Sequence, residues 1–157
     1  LGLGRERTGW VNWAPENREV RGLNPKLVVL MIGTNNTQVA KDAPADTLAG
    51  IASNLRTIRF HLPNANVLLL SIFPRGAGPE DPWRKINGQI NARLPALAEA
   101  DPMVTHLDIN QHFLDSEGNL PRELMPDLLH PNTEGYAVWA AAMEPMLSAL
   151  MEDEPIR

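Results

Sequence analysis

"LVVLMIGTNN", Leu27 to Asn36, is the stretch that decides the fold. Its first six residues are continuously apolar, and three of them are β-branched. That is the composition of a strand covered on both faces, which belongs in a parallel sheet flanked by helices. At Gly33 the composition turns polar at once. In open α/β sheets ligands sit beyond the carboxyl ends of the strands, so Gly33 to Thr37 is a candidate site on position alone. Gly33 permits a sharp turn there. Asn35 offers an uncharged amide donor, which suits an oxyanion forming during acyl transfer. The same residues also suit a plain asparagine-rich turn that caps the next segment.

Reading outward, the pattern alternates. Leu48, Ile51, Leu55, Ile58 and Leu62 recur at helical spacing, predicting a helix over 44–62 with Asp42 and Pro44 as start signals. "NVLLLSIF", 66–73, repeats the buried-strand composition, and the turn-rich "PRGAGPEDP" follows. A second helix is expected to carry Trp83, Ile86, Ile90, Leu94 and Leu97 on one face. "VTHLDI", 104–109, reads as a third strand. A last helix from about Asn132 carries Tyr136, Trp139, Met143, Leu147 and Leu150, with a bend expected near Pro145. Strands separated by helices imply an α/β fold with a parallel sheet and right-handed crossovers. Residues 1–157 are read as one domain, with no repeat or linker.

Composition narrows the partners. A net charge of −5 lacks the basic footprint that nucleic acid requires. No apolar run approaches the roughly 20 residues of a membrane span. Without cysteine there is no disulfide, thiol nucleophile or thiolate zinc site. His61, His106 and His112 show no ligand spacing, so neither a metal nor any other cofactor is expected. The compartment, cytoplasmic or exported, is left open.

The second chemical signal is "MPDLLHPNTEGYAVW", 125–139. Asp127 stands three residues before His130, and Asn132 is a ready N-cap for the helix behind. An acid and a histidine so spaced, in a loop stiffened by Pro126 and Pro131, can be a general base with the carboxylate that orients it. They can equally be a surface acid and a helix-start histidine. Such a base needs a hydroxyl to activate. The serines are Ser53 within a helix, Ser71 inside an apolar strand, Ser116 in a "DSEGN" turn and Ser148 near the chain's end. None sits in a Gly-x-Ser-x-Gly elbow.

Together, "VVLMIGTNN" and "DLLHPNTEGY" resemble two sequence blocks of the SGNH, or GDSL, hydrolase superfamily. "NPKLVVLMIGTNN", "FPRG" and "DLLHPNTEGY" are similar in particular to esterases of the platelet-activating factor acetylhydrolase catalytic-subunit type, over about 1–151. The resemblance implies a flavodoxin-like three-layer α/β/α sandwich that cleaves esters, often acetyl esters, without a metal. It implies His130 as base, Asp127 as its orienter and Asn35 as side-chain oxyanion donor. It also implies a small-molecule ester as substrate and a homodimer as one possible assembly. "GLGRE" aligns Gly2, Gly4, Arg5 and Glu6 with another family block, which makes the Arg5 backbone N–H a second oxyanion donor. Gly33 and Arg75 are candidate pocket residues, Arg75 having a carboxylate pair as its other reading. Trp10 and Trp13 are candidates for an acyl pocket or for packing.

The family's Gly-Asp-Ser block has no counterpart in the chain. The expectation is therefore the C-terminal two-thirds of such a hydrolase, without its first strand, first helix and most of its second strand. The competing expectations are a catalytically inactive scaffold of the same fold and a different hydrolase that uses Ser71.

Overall fold

The computed structural model describes residues 7–9 and 22–152. Three strands, β1 (Leu27–Leu30), β2 (Asn66–Leu70) and β3 (Val104–Leu107), form a parallel sheet in the order β1-β2-β3. Leu30 pairs with Leu69, and Leu69 with His106. The ladders are shorter than the apolar runs, since residues 31–32 and 71–73 leave the sheet and begin the loops at its carboxyl edge.

α1 (Pro44–His61) crosses from β1 to β2. Asp42 does not cap it. Ala43 occupies the N-cap position without a side-chain bond, Pro44 supplies the preset first turn, and Asp46 faces the positive end of the helix dipole. Asp42 instead accepts a hydrogen bond from Asn36 Nδ2 at 2.9 Å.

The helix expected between β2 and β3 is two helices, α2 (Pro82–Asn91) and α3 (Leu94–Glu99). The reason is Pro95. It cannot donate the bond that residue 95 would make to the Asn91 carbonyl, and its ring crowds that oxygen. The apolar face survives the break, because Ile90 and Leu94 are both fully buried in one core. α2 has a strong start: Asp81 accepts from the N–H groups of Trp83 and Arg84 at 2.9 and 3.0 Å. α4 (Thr133–Met151) begins at Asn132, whose Oδ1 accepts from the Gly135 N–H at 2.9 Å, and continues through Pro145.

Alternation along the strands sorts the side chains into two cores. Leu30, Val67, Leu69 and Val104 meet Ile51, Leu55 and Ile58 of α1 and Ile90 of α2. On the other face Met31 and Leu107 meet Val138, Trp139 and Ala142 of α4, together with Phe73, Ile109, Phe113 and Met125 from the loops. The result is helices, sheet and helix in three layers. Trp139 joins this second core with its ring edge-on to Phe73, the centroids 4.8 Å apart. Tyr136, expected on the same apolar face, is 56% exposed and stacks on Trp139 from outside.

Candidate active site

The carboxyl ends of β1 and β2 and the loop before α4 converge on one edge of the sheet. After β1 the chain turns at Gly33, whose φ of +129° is open to glycine alone among common residues. A Cβ there would stand 2.7 Å from Ile72 Cδ1 and 3.1 Å from Thr47 Cγ2. Gly33 is therefore a turn and packing residue that launches the loop. Asn35 follows in helical conformation and starts a five-residue π-helical turn, Asn36–Ala40, without any side-chain capping bond. The capping reading of Asn35 is thus not the one the fold uses. Its neighbour Asn36 is buried and fixes the loop, accepting from the Thr8 N–H and donating to Thr8 Oγ1, both at 3.0 Å.

Asp127 and His130 are paired as their spacing suggests. Asp127 Oδ2 lies 2.7 Å from His130 Nδ1. The other oxygen, Oδ1, accepts from the backbone N–H groups of Leu129 at 3.0 Å and His130 at 2.7 Å. The His130 side-chain bond, then the His130 backbone bond, holds the Asp127 carboxyl down at about 2, well below the usual carboxylate range. An ionised acceptor at Nδ1 keeps the proton on that nitrogen and leaves Nε2 to act as base. Both side chains are exposed, at 55% and 64%.

The loop that carries them is tied down around the pair. The Pro126 carbonyl accepts from Arg122 at 2.6 Å, and the Asn132 N–H reaches the Leu124 carbonyl at 3.0 Å. Leu128, between acid and base, has φ of +59°, a left-handed conformation that costs a branched residue about 1–2 kcal/mol. Neither this strain nor the exposure of the ring was visible in the sequence.

Arg75 is buried, 5% exposed. Its guanidinium donates to Thr34 Oγ1 at 2.9 Å and to Gln38 Oε1 at 2.5 Å. Desolvation pulls its pKa down, and the charges of Asp81 and Asp127 oppose that shift. It therefore sits between the Gly33–Gln38 loop and the Asp127–His130 loop. Arg5, Gly2, Gly4, Glu6, Trp10 and Trp13 lie outside the described residues.

Ser71 has partners of its own. It is 1% exposed, and its hydroxyl donates to Asp108 Oδ2 and meets His106 Nε2, both at 3.0 Å. This is a serine, a histidine and an aspartate, but wired for structure. In a catalytic triad the carboxylate holds the imidazole, whereas here it takes the hydroxyl itself. Burial also lowers the pKa of His106. Ser148 donates to Glu144, Ser116 lies on an exposed turn and Ser53 lies within α1. Among the described residues no group of three or more acids and histidines is placed to hold a metal ion.

Residues 1–138 match the GDSL-like lipase/acylhydrolase family. The chain belongs to that family. A platelet-activating factor acetylhydrolase IB subunit alpha2 from Gallus gallus is 31% identical over 153 residues, covering 98% of this chain and 65% of the relative. The human alpha1 subunit is 31% identical over 154 residues, covering 98% and 65%. The chain thus spans a little under two-thirds of the length of these curated relatives. In fold it is similar to a GDSL-like lipase from Bacteroides thetaiotaomicron, with a TM-score of 0.75 and 24% identity over 92% of this chain and 72% of that one. It is also similar to a catalytic mutant of an acetylxylan esterase from Geobacillus stearothermophilus, with a TM-score of 0.73 and 20% identity over 97% and 70%.

Proposed function

We propose that the intact protein is a serine ester hydrolase acting on short-chain, acetyl-like esters of a lipid or a carbohydrate. The observation that carries this reading is the Asp127–His130 pair: one carboxylate oxygen locked by two backbone N–H groups, the other 2.7 Å from Nδ1. Within the GDSL-like family such a dyad has an obvious task. Two similar proteins are named for acetyl esters, the acetylhydrolase and the acetylxylan esterase.

The nucleophile lies outside these 157 residues, since the four serines present are spent or misplaced. In the intact enzyme its hydroxyl attacks the acyl carbonyl while His130 Nε2 takes the proton. Negative charge gathers on the carbonyl oxygen, where the Asn35 amide and the Arg5 backbone N–H hold it. His130 then protonates the departing alkoxide, leaving an acyl-enzyme. Water attacks that ester, again giving its proton to His130, and the carboxylic acid and free serine are released.

Fluorophosphonate labelling tests the reading directly. A chain of this sequence extended to include its own nucleophile is expected to label, and His130→Ala in that chain is expected to abolish labelling. The 157 residues alone are expected to stay unlabelled. Labelling at Ser71 would overturn the assignment.

A further inference from the structure

We infer that Arg75 is a positioning residue, which with Gly76 holds the loop bearing the oxyanion amide in register with the loop bearing the base. The inference rests on the hydrolase reading and adds to it a residue that touches neither substrate nor reacting atoms. The two loops belong to opposite ends of the chain, yet hydrolysis needs Asn35 and His130 at fixed separation, and a displacement of about 1 Å can cost about a hundredfold in rate.

The turn after β2 bonds to both loops. From its side chain, Arg75 reaches Thr34, the neighbour of Asn35, and Gln38, so two arms of one planar group grip the oxyanion loop. From its main chain, the Gly76 N–H donates to the Leu128 carbonyl at 3.0 Å. Leu128 is the strained residue between Asp127 and His130. That bond therefore falls where the base loop most needs an external hold.

The turn itself is made rigid by a second arginine. Arg84 Nε donates to the Arg75 carbonyl at 2.8 Å, and its terminal nitrogens reach the carbonyls of Gly76 and Gly118, each at 2.6 Å. Gly76 has φ of +69°, and a Cβ on it would press into the Asp81 carboxylate. Asp81 meanwhile caps α2. Strand end, helix cap and both loops are thereby joined at one dipeptide. Lysine could not replace Arg75, because a single ammonium lacks the planar fork that spans two acceptors.

The test uses the extended chain with its own nucleophile and an acetyl ester. Arg75→Lys is expected to lower kcat at least tenfold while KM changes less than twofold. The pair Thr34→Val with Gln38→Leu should reproduce that loss, and adding Arg75→Lys to the pair should cost little more. The Asn35 side-chain amide resonances should move in both variants, a readout that needs no turnover. Unmoved Asn35 resonances, or a loss confined to KM, would overturn the inference and make Arg75 a substrate contact or a bystander. His130→Ala with full activity would overturn the hydrolase reading instead, so the two failures are distinct. If Arg75→Lys does not fold, Thr34→Val alone must shift the Asn35 amide for the inference to stand.

Discussion

Asp127 divides its two oxygens between the backbone and the ring, and this division makes specific demands on a substitution. Asp127→Asn keeps an oxygen for the Leu129 and His130 N–H groups but turns an amide donor toward Nδ1. The imidazole would then carry its proton on Nε2 and could not accept another. Turnover of the extended chain is expected to fall by up to about 10⁴-fold, and less than in His130→Ala, where the base itself is gone. Steady-state kinetics on the two variants checks the order. Because the folded carboxyl titrates at about 2, Asp127 stabilises the fold above its ordinary range near 3.9 and loses that contribution as pH falls from there through 2. Exposure of both side chains keeps the contribution small. A carboxyl carbon titration by NMR is expected to show the low midpoint, and His130→Ala should raise it. Asn35→Ala should cost about 3 kcal/mol in kcat, roughly a hundredfold, with KM nearly unchanged. An unchanged kcat would reduce Asn35 to a turn residue. At this scale the Asp127–His130 contact was legible in the sequence because both residues lie within one short motif. Arg75 was singled out as well, but its partners were not, because Thr34 and Gln38 lie 41 and 37 residues away from it.

Among the elements, helical spacing located α1 and α4 to within a residue or two, since each carries a long apolar face. It failed at Pro95, where the face continues across two helices and conceals the break. It also misassigned Asp42, whose carboxylate serves the Asn36 amide rather than a helix end. Asp81 shows the opposite situation, a cap followed by proline in a stretch read only as turn-rich. Asp81→Ala removes the acceptor of two N–H groups and should destabilise the protein by about 1 kcal/mol, measured by urea unfolding. Because the Asp81 carboxylate also packs against Gly76, the same variant should loosen the turn that holds Arg75. Asp81→Asn, which retains a capping oxygen without the charge, should recover most of the stability. Equal losses in the two variants would show that charge, not capping, carries the effect.

For the whole molecule, the parallel sheet and its two helical layers follow from two apolar strands and a third, more polar one, all separated by helices. What the sequence could not show is how unevenly the layers cover the sheet. On the α4 face Leu68 and Leu70 of the middle strand are fully buried, while Val29 of β1 is 40% exposed. Among the described residues β1 pairs with β2 alone, and none of them pairs with its other edge, which lies beside an apolar surface. Strand edges of this kind template pairing with other chains. The 157-residue chain by itself is therefore expected to self-associate at micromolar concentration and to bind a dye specific for exposed apolar surface. Val29→Lys places a charge on the open face without removing any β1–β2 backbone bond. It should reduce both association and dye binding, as measured by sedimentation velocity and fluorescence. A monomeric wild-type chain with a cooperative melt and no dye binding would mean that this edge is covered, and association through β1 would have to be abandoned.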